Sequence, residues 1–324
     1  MLGAKVEEAP EVTASSIVNQ PGLRCGVTEW RKAIPEHRDR LQSKVLVWVV
    51  GVTLAGPSSI VILLATHPYN SGYWALRSLV VSLTFGVVVW ALRAATPIAA
   101  ICGSMICLLV TVGTWRGTPY PFHSGLTPLM LLFVLTFAAT KAGRRRKQQL
   151  GVAEGRRGRD AAQIVANLGA AGLSVVAGAF GAFDWISPGG IIGFSLFAMP
   201  IAVLAALCEA TADTVSSEIG QAFGGTPFLL TSLRRVPAGT DGAVSVLGTA
   251  AGVLASGIIA LTGMWAMRLD WRQTGVAFAG GFAGLILDSV LGATVERKGW
   301  LGNDLVNFSS TVFAVATALA LLMV

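Results

Sequence analysis

Nine stretches of this chain are apolar over enough residues to cross a bilayer: Val45 to Thr66, Trp74 to Leu92, Thr96 to Thr114, His123 to Thr140, Gln163 to Gly181, Gly189 to Leu207, Val244 to Met267, Gly275 to Leu291 and Val306 to Val324. Their apolar residues run unbroken instead of recurring at helical or strand period, the mark of segments that face lipid. Most reach roughly the twenty residues that a 30 Å hydrocarbon core demands at 1.5 Å per residue. The pattern predicts an all-α fold, a polytopic transmembrane helical bundle of about nine spans.

Polar punctuation divides these runs into four parts. Residues 1–44 read as a tail whose mixed charges and prolines (Pro10, Pro21, Pro35) leave it little apolar surface to bury, and it lacks the apolar core and cleavage site of a signal peptide. A four-helix membrane region follows over residues 45–140, a basic loop over 141–159, and a C-terminal membrane domain over 160–324. Lysine and arginine concentrate before the first span and in KAGRRRKQQLGVAEGRRGRD, which places both segments on the cytoplasmic side of a multi-pass inner or plasma membrane protein. That run reads first as a topology signal and linker, or else as a site for anionic lipid headgroups.

Composition agrees with lipid as the solvent, since 53% of residues are hydrophobic and 13% charged. Cys25, Cys102, Cys107 and Cys208 have no paired or metal-ligand spacing and read as small packing residues. The histidines, His37, His67 and His123, all lie in the first half, so neither a His-ligated zinc nor a Ser/His/Asp triad has a histidine near the C-terminal acids. Small residues four apart, Gly248 with Gly252 and Gly280 with Gly284, read as helix-packing positions.

The acids are unevenly spread. No Asp or Glu occurs from Val45 through Ala153, whereas the C-terminal half carries them at its span ends. In CEATADTVSSEIG, Glu209, Asp213 and Ser217 are four apart and share one face of a helix continuing from the sixth span, with Glu218 beside them. Carboxylates at such a depth are costly unless a cation meets them. In LTSLRRVPAGTDGAVSVLG, Pro237, Gly239 and Gly242 interrupt helix. Thr240 and Asp241 then lie in a glycine loop whose amides can bind phosphate, next to Arg234 and Arg235. Asp288 lies inside the eighth span; Lys298, Asn303, Asp304 and Asn307 follow it, and Asn167 opens the fifth span on the same face. All-oxygen ligands of this kind suit Mg2+, which takes one or two carboxylates and completes its shell with water and substrate phosphates. Asp213, Asp241 and Glu209 are the candidate metal ligands. Walker A, GxSxG, HExxH, kinase and dinucleotide signatures are absent.

The stretches RRGRDAAQIVAN, ATADTVSSEIG with VPAGTDGAVSVLG, and DSVLGATVERKGWLGNDLVNF resemble, in order and spacing, a family of integral membrane proteins. The family, domain of unknown function 92, includes animal transmembrane protein 19 and the plastid phytyl-phosphate kinase. The resemblance covers about half the chain. It implies a Mg2+-dependent transfer of a phosphoryl group from a nucleoside triphosphate, CTP foremost, to an isoprenyl monophosphate. Asp213 and Glu218 match the family's acidic motif, Asp241 its glycine loop, Asp288 its span acid, and Asn303, Asp304 and Asn307 its final motif. The implied partners are the nucleotide, an isoprenoid or other lipid phosphate, and membrane lipids, none of them a nucleic acid. Val215 departs from an aromatic common after ADT, and Arg234 and Arg235 from a lysine-bearing turn. The open alternatives are a CTP-dependent lipid cytidylyltransferase and a secondary transporter of a small anion, whose polar groups should reach toward both faces.

Overall fold

A computed structural model describes residues 34–66, 70–115, 117, 120–151, 158–187 and 193–324. Its helices are α1 (Glu36–Ala65), α2 (Asn70–Ala91), α3 (Pro97–Gly113), α4 (Leu126–Lys141), α5 (Arg144–Gln149), α6 (Ala161–Ala179), α7 (Phe194–Phe223), α8 (Val246–Met267), α9 (Trp271–Leu291) and α10 (Asn303–Leu322). Seven are long and apolar enough to cross a membrane, and α3 and α4 are shorter apolar helices. Each of the nine apolar runs therefore contains one helix. The remaining helix, α5, has the six-residue sequence RRRKQQ. The departure from an all-helical plan among the described residues is a ribbon pairing β1 (Phe228–Leu229) with β2 (Ala243–Val244), which closes the base of the glycine loop.

Helix starts follow local chemistry. The Asp160 and Asp270 side chains each accept from the backbone amide of a glutamine three residues on, and their own backbone amides donate to that glutamine's side-chain oxygen, capping α6 and α9. Ser245 caps α8, and Thr96 followed by Pro97 opens α3. The first helix departs from expectation. α1 begins at Glu36, so residues 36–44 belong to the helix and not to the tail. Glu36 and Asp39 in its first turn face the positive end of the helix dipole, and Arg40 reaches back to Glu36 at 2.5 Å. Residues 1–33 of that tail, Cys25 included, lie outside the described residues, as do residues 152–157 of the basic loop.

The core is organised around α7. Every residue from Ile201 to Cys208 is fully buried, the all-round burial of a helix enclosed by others. α6, α8, α9, α10 and α4 pack against it. In lipid there is no hydrophobic drive between helices, so small residues supply close contact. A Cβ at Gly252 would stand 2.5 Å from the Ala212 carbonyl on α7, and one at Gly281 would stand 2.6 Å from Cys208 Cβ. At Gly280 the neighbour is the Ala314 carbonyl on α10, again at 2.5 Å. The outer faces present large apolar side chains, among them Trp48, Ile98, Ile101, Leu254 and Leu261.

One packing difference shapes the site. α3 lies on α2 and α6, whereas α4 lies on α7 and α8 and scarcely touches α3. The two halves of the bundle diverge there and leave a gap.

Candidate active site: two cavities with a shared wall

The first cavity, of about 260 Å³, is polar and lies at the end of the bundle where α6, α8 and α10 begin and α7 and α9 finish. α7 runs on for half its length beyond Leu207, carrying Asp213 and Glu218 into the cavity wall. The glycine loop arrives from the opposite side. Thr240 Oγ1 donates to the Pro237 carbonyl at 2.8 Å and the Ala243 amide to the Thr240 carbonyl at 3.0 Å, a tight turn carrying Asp241. Gly239 and Gly242 adopt φ of +87° and +70°, the left-handed region that favours glycine. Gly242 also lies so close to Gly292 and Ala293 that a side chain there would collide with their backbone.

Gly292 and Ala293 open a π-helical turn, Gly292–Glu296, that continues α9 and swings Glu296 into the cavity beside Asp288. Such turns recur at functional positions. On the far wall Asn307 Nδ2 donates to Asn167 Oδ1 at 3.1 Å, tying α10 to α6, and Asn303 completes the rim.

Asp213, Glu218, Asp241, Asp288, Asn167, Gly239, Thr240, Gly242, Asn303 and Asn307 thus line one cavity. Five other candidates do not. Glu209 is buried one layer beneath, its two carboxylate oxygens taken by Ser310 Oγ at 2.7 Å and Thr311 Oγ1 at 2.6 Å. Ser310 also lies 3.4 Å from Asp288 Oδ1, so Glu209 supports the Asp288 wall and is not itself on the surface. Asp304 accepts from Ser43 Oγ at 2.6 Å on α1. Arg234 and Arg235 are exposed on a turn that folds back along β1, where Leu229 N donates to the Arg234 carbonyl at 3.0 Å and Arg235 bridges Phe228. Lys298 is exposed with its ammonium over the Trp300 ring, 5.2 Å from the centroid.

Arg159, Gln163 and Glu296 line the cavity and were not singled out from sequence. A signal for one of them was available, since Gln163 and Asn167 are four apart and share one face of α6. Arg159 is pinned by its backbone, its amide donating to the Ala94 carbonyl and its carbonyl accepting from Thr96 N, both at 2.9 Å.

The second cavity, of about 360 Å³, fills the gap between α2 and α3 on one side and α4 on the other. Phe85, Val89, Leu129, Leu132 and Phe133 make it apolar in depth. Phe85 and Phe133 meet edge to face at 5.4 Å between α2 and α4. Its rim is cationic: Arg93, Lys141, Arg144, Lys147 and Arg159 line it, and among the described residues no carboxylate does. Arg159 and Asn167 line both cavities. Lys147 and Glu218 form the rest of the wall, the first facing the apolar cavity and the second the polar one.

The charges are opposite. Asp213, Glu218, Asp241, Asp288 and Glu296 make the polar cavity acidic, with Arg159 as its cation. Among the described residues no three His, Cys, Asp or Glu side chains converge into a ready-made metal cage, and Glu209 lies below the other two candidate ligands. Asp213 and Asp288 are close enough to share a hydrogen bond, and a pair of carboxylates in a hydrophilic chamber fits the magnesium habit of using one or two protein ligands with substrate oxygens.

Fold and site together define a polytopic helical membrane protein with an acid-lined chamber adjoining an apolar, cation-rimmed one. The chain belongs to the family described as integral membrane protein DUF92, which its residues 80–315 match. It is 34% identical over 208 residues to "Protein VTE6, chloroplastic" of Arabidopsis thaliana, a match covering 63% of this chain and 60% of that protein. It is 32% identical over 199 residues to an uncharacterized membrane protein of Synechocystis, covering 61% of this chain and 73% of that one. An uncharacterized membrane protein of Methanocaldococcus jannaschii is 41% identical over 112 residues, covering 35% of this chain and 47% of its own length. No solved structure matches it.

Proposed function

We propose that this protein is a membrane-embedded phosphotransferase that moves the terminal phosphoryl group of a nucleoside triphosphate, CTP foremost, to an isoprenyl monophosphate. The observation that carries the reading is the pair of cavities of opposite character meeting at Arg159 and Asn167. An amphiphile with an apolar chain and an anionic head fits the apolar cavity and its rim. A triphosphate fits the acidic cavity only with divalent cations, because five carboxylates would otherwise repel it. Membership of the family, together with the resemblance of its motifs, supports the same reaction.

Bound Mg2+ would neutralise charge on the triphosphate oxygens, with Asp213, Asp241 and Asp288 as the residues to hold it. The glycine loop offers backbone amides at Gly239, Thr240 and Gly242 to phosphate oxygens. Arg159, on the shared wall, faces the point where the acceptor oxygen and the terminal phosphorus would meet, and steadies the charge spread over the transferring group. An oxygen of the lipid phosphate forms the new bond to phosphorus as the bond to the bridging oxygen breaks. The products are the lipid diphosphate and the nucleoside diphosphate. Positioning does most of the work, as is usual for phosphoryl transfer.

The test uses detergent-purified protein with MgCl2, CTP and a panel of isoprenyl monophosphates, products being identified by mass spectrometry. CDP with an isoprenyl diphosphate is expected, and turnover should fall about a hundredfold or more in Asp213→Asn with the helical content unchanged. CMP-lipid with pyrophosphate would make the protein a cytidylyltransferase. Absence of turnover in a folded sample would remove the enzyme reading.

A further inference from the structure

Lys147 is the most deeply buried cation among the described residues, 1% exposed. Its ammonium donates to Glu218 Oε2 at 2.5 Å, to the Thr140 carbonyl at 2.8 Å and to the Ala139 carbonyl at 3.2 Å. Thr140 Oγ1 donates to the other Glu218 oxygen at 3.0 Å. α5 is folded back to bring it there by Gly143, at φ +59°, whose missing side chain lets the chain pass within 2.6 Å of Ala222 Cβ as measured from an added Cβ.

Two of these contacts satisfy carbonyls at the C-terminal end of α4, a capping role that a solvated lysine would fill as well. Capping does not account for the ion pair. Removing two charges from water is expensive, and such a pair seldom repays its desolvation by stability alone. The position is what distinguishes it, for Lys147 faces the apolar cavity and Glu218 the acidic one.

We propose that Lys147 is the anion-binding residue of the acceptor subsite: the phosphomonoester head of a lipid lying in the apolar cavity takes Lys147 in exchange for Glu218, which is released toward the acidic cavity. This rests on the proposed acceptor class but not on the identity of the donor. The dianionic head is a better partner for an ammonium than a single carboxylate, and its other oxygens meet Arg93, Lys141 and Arg144 on the rim. Glu218, once released, remains in a cavity whose lining includes Arg159, so it does not need a bound metal to be accommodated.

The test measures binding to the full-length protein in detergent, without nucleotide or magnesium, of geranyl monophosphate, geraniol and inorganic phosphate. Lys147→Met should weaken the monophosphate by about tenfold or more, and Lys147→Arg should retain most of the affinity. Glu218→Gln should tighten it, because the lysine is then no longer held by a carboxylate. Geraniol should bind all variants alike, and inorganic phosphate far more weakly than the lipid. A purely structural pair predicts otherwise: Glu218→Gln would weaken or leave unchanged the monophosphate, or alcohol and monophosphate would change in parallel, and either result overturns the proposal. Should Lys147→Met fail to fold, Glu218→Gln alone still decides the sign. The expected binding pattern without turnover on CTP would leave this subsite standing and remove the kinase reading instead.

Discussion

At the scale of single residues, the site depends on positions where only one side chain, or none, is tolerated. Gly242 combines a positive φ with contact against the backbone of the π-helical turn. Gly242→Ala should therefore destabilise the protein by roughly 1–3 kcal/mol and lower phosphoryl transfer together, read as a drop in the detergent melting temperature alongside the assay. Glu209 teaches the complementary lesson. Its spacing to Asp213 puts both on one face of α7, which was legible, but a helix face does not say how deep each member lies. Hydroxyls from Ser310 and Thr311, about a hundred residues later, enclose Glu209 and keep it out of the cavity. Arg234 and Arg235, next in sequence to the phosphate loop, and Lys298, close after Glu296, are likewise outside the cavity lining, all three exposed to solvent.

At the scale of elements, glycines in two of the helices behave differently. α8 approaches α7 through Gly248 and Gly252, where added side chains would meet the carbonyls of Ser216 and Ala212. Gly252→Leu should separate the helices, displace Asp213 and abolish both binding and a cooperative melt. Gly56 on α1 has nothing within 4 Å, so Gly56→Ala should leave the melting temperature unchanged or raise it slightly, since alanine is the better helix former. Thermal denaturation of the two variants side by side checks the contrast. α7 itself could be read well beyond its apolar run, because polar residues spaced four apart continued its face. The short α5 could not, since a basic run carries no periodicity that would mark one lysine for burial.

At the scale of the whole molecule, the cavity-lining ends of the helices alternate consistently: α6, α8 and α10 begin at the site, whereas α7 and α9 end there. α10 begins at the site and is long enough to cross the membrane, which puts its other end on the opposite face. A reporter fused after Val324 should accordingly be protected from cytoplasmic modification while one in the Lys141–Gln149 segment is accessible, if the basic segments lie inside. The reverse labelling would invert the orientation and put the nucleotide site outside. The division of charge between the cavities belongs to this scale too, since the acidic lining is drawn from α7, from α9 with its π-helical turn and from the glycine loop, and the basic rim from three separate segments.

The apolar runs and the gathering of acids at the ends of the later ones were legible in the sequence alone, because hydrophobic run length and local spacing are properties of neighbouring residues. The tertiary structure decided which polar groups share a cavity, that Arg159 and Glu296 join them, and that Lys147 is buried against Glu218, 71 residues away. It also opened the apolar cavity, by packing α4 against α7 and α8 while α3 stayed on α6. Contacts between distant segments depend on how helices pack in three dimensions, and no local pattern of residues encodes the gap where two of them part.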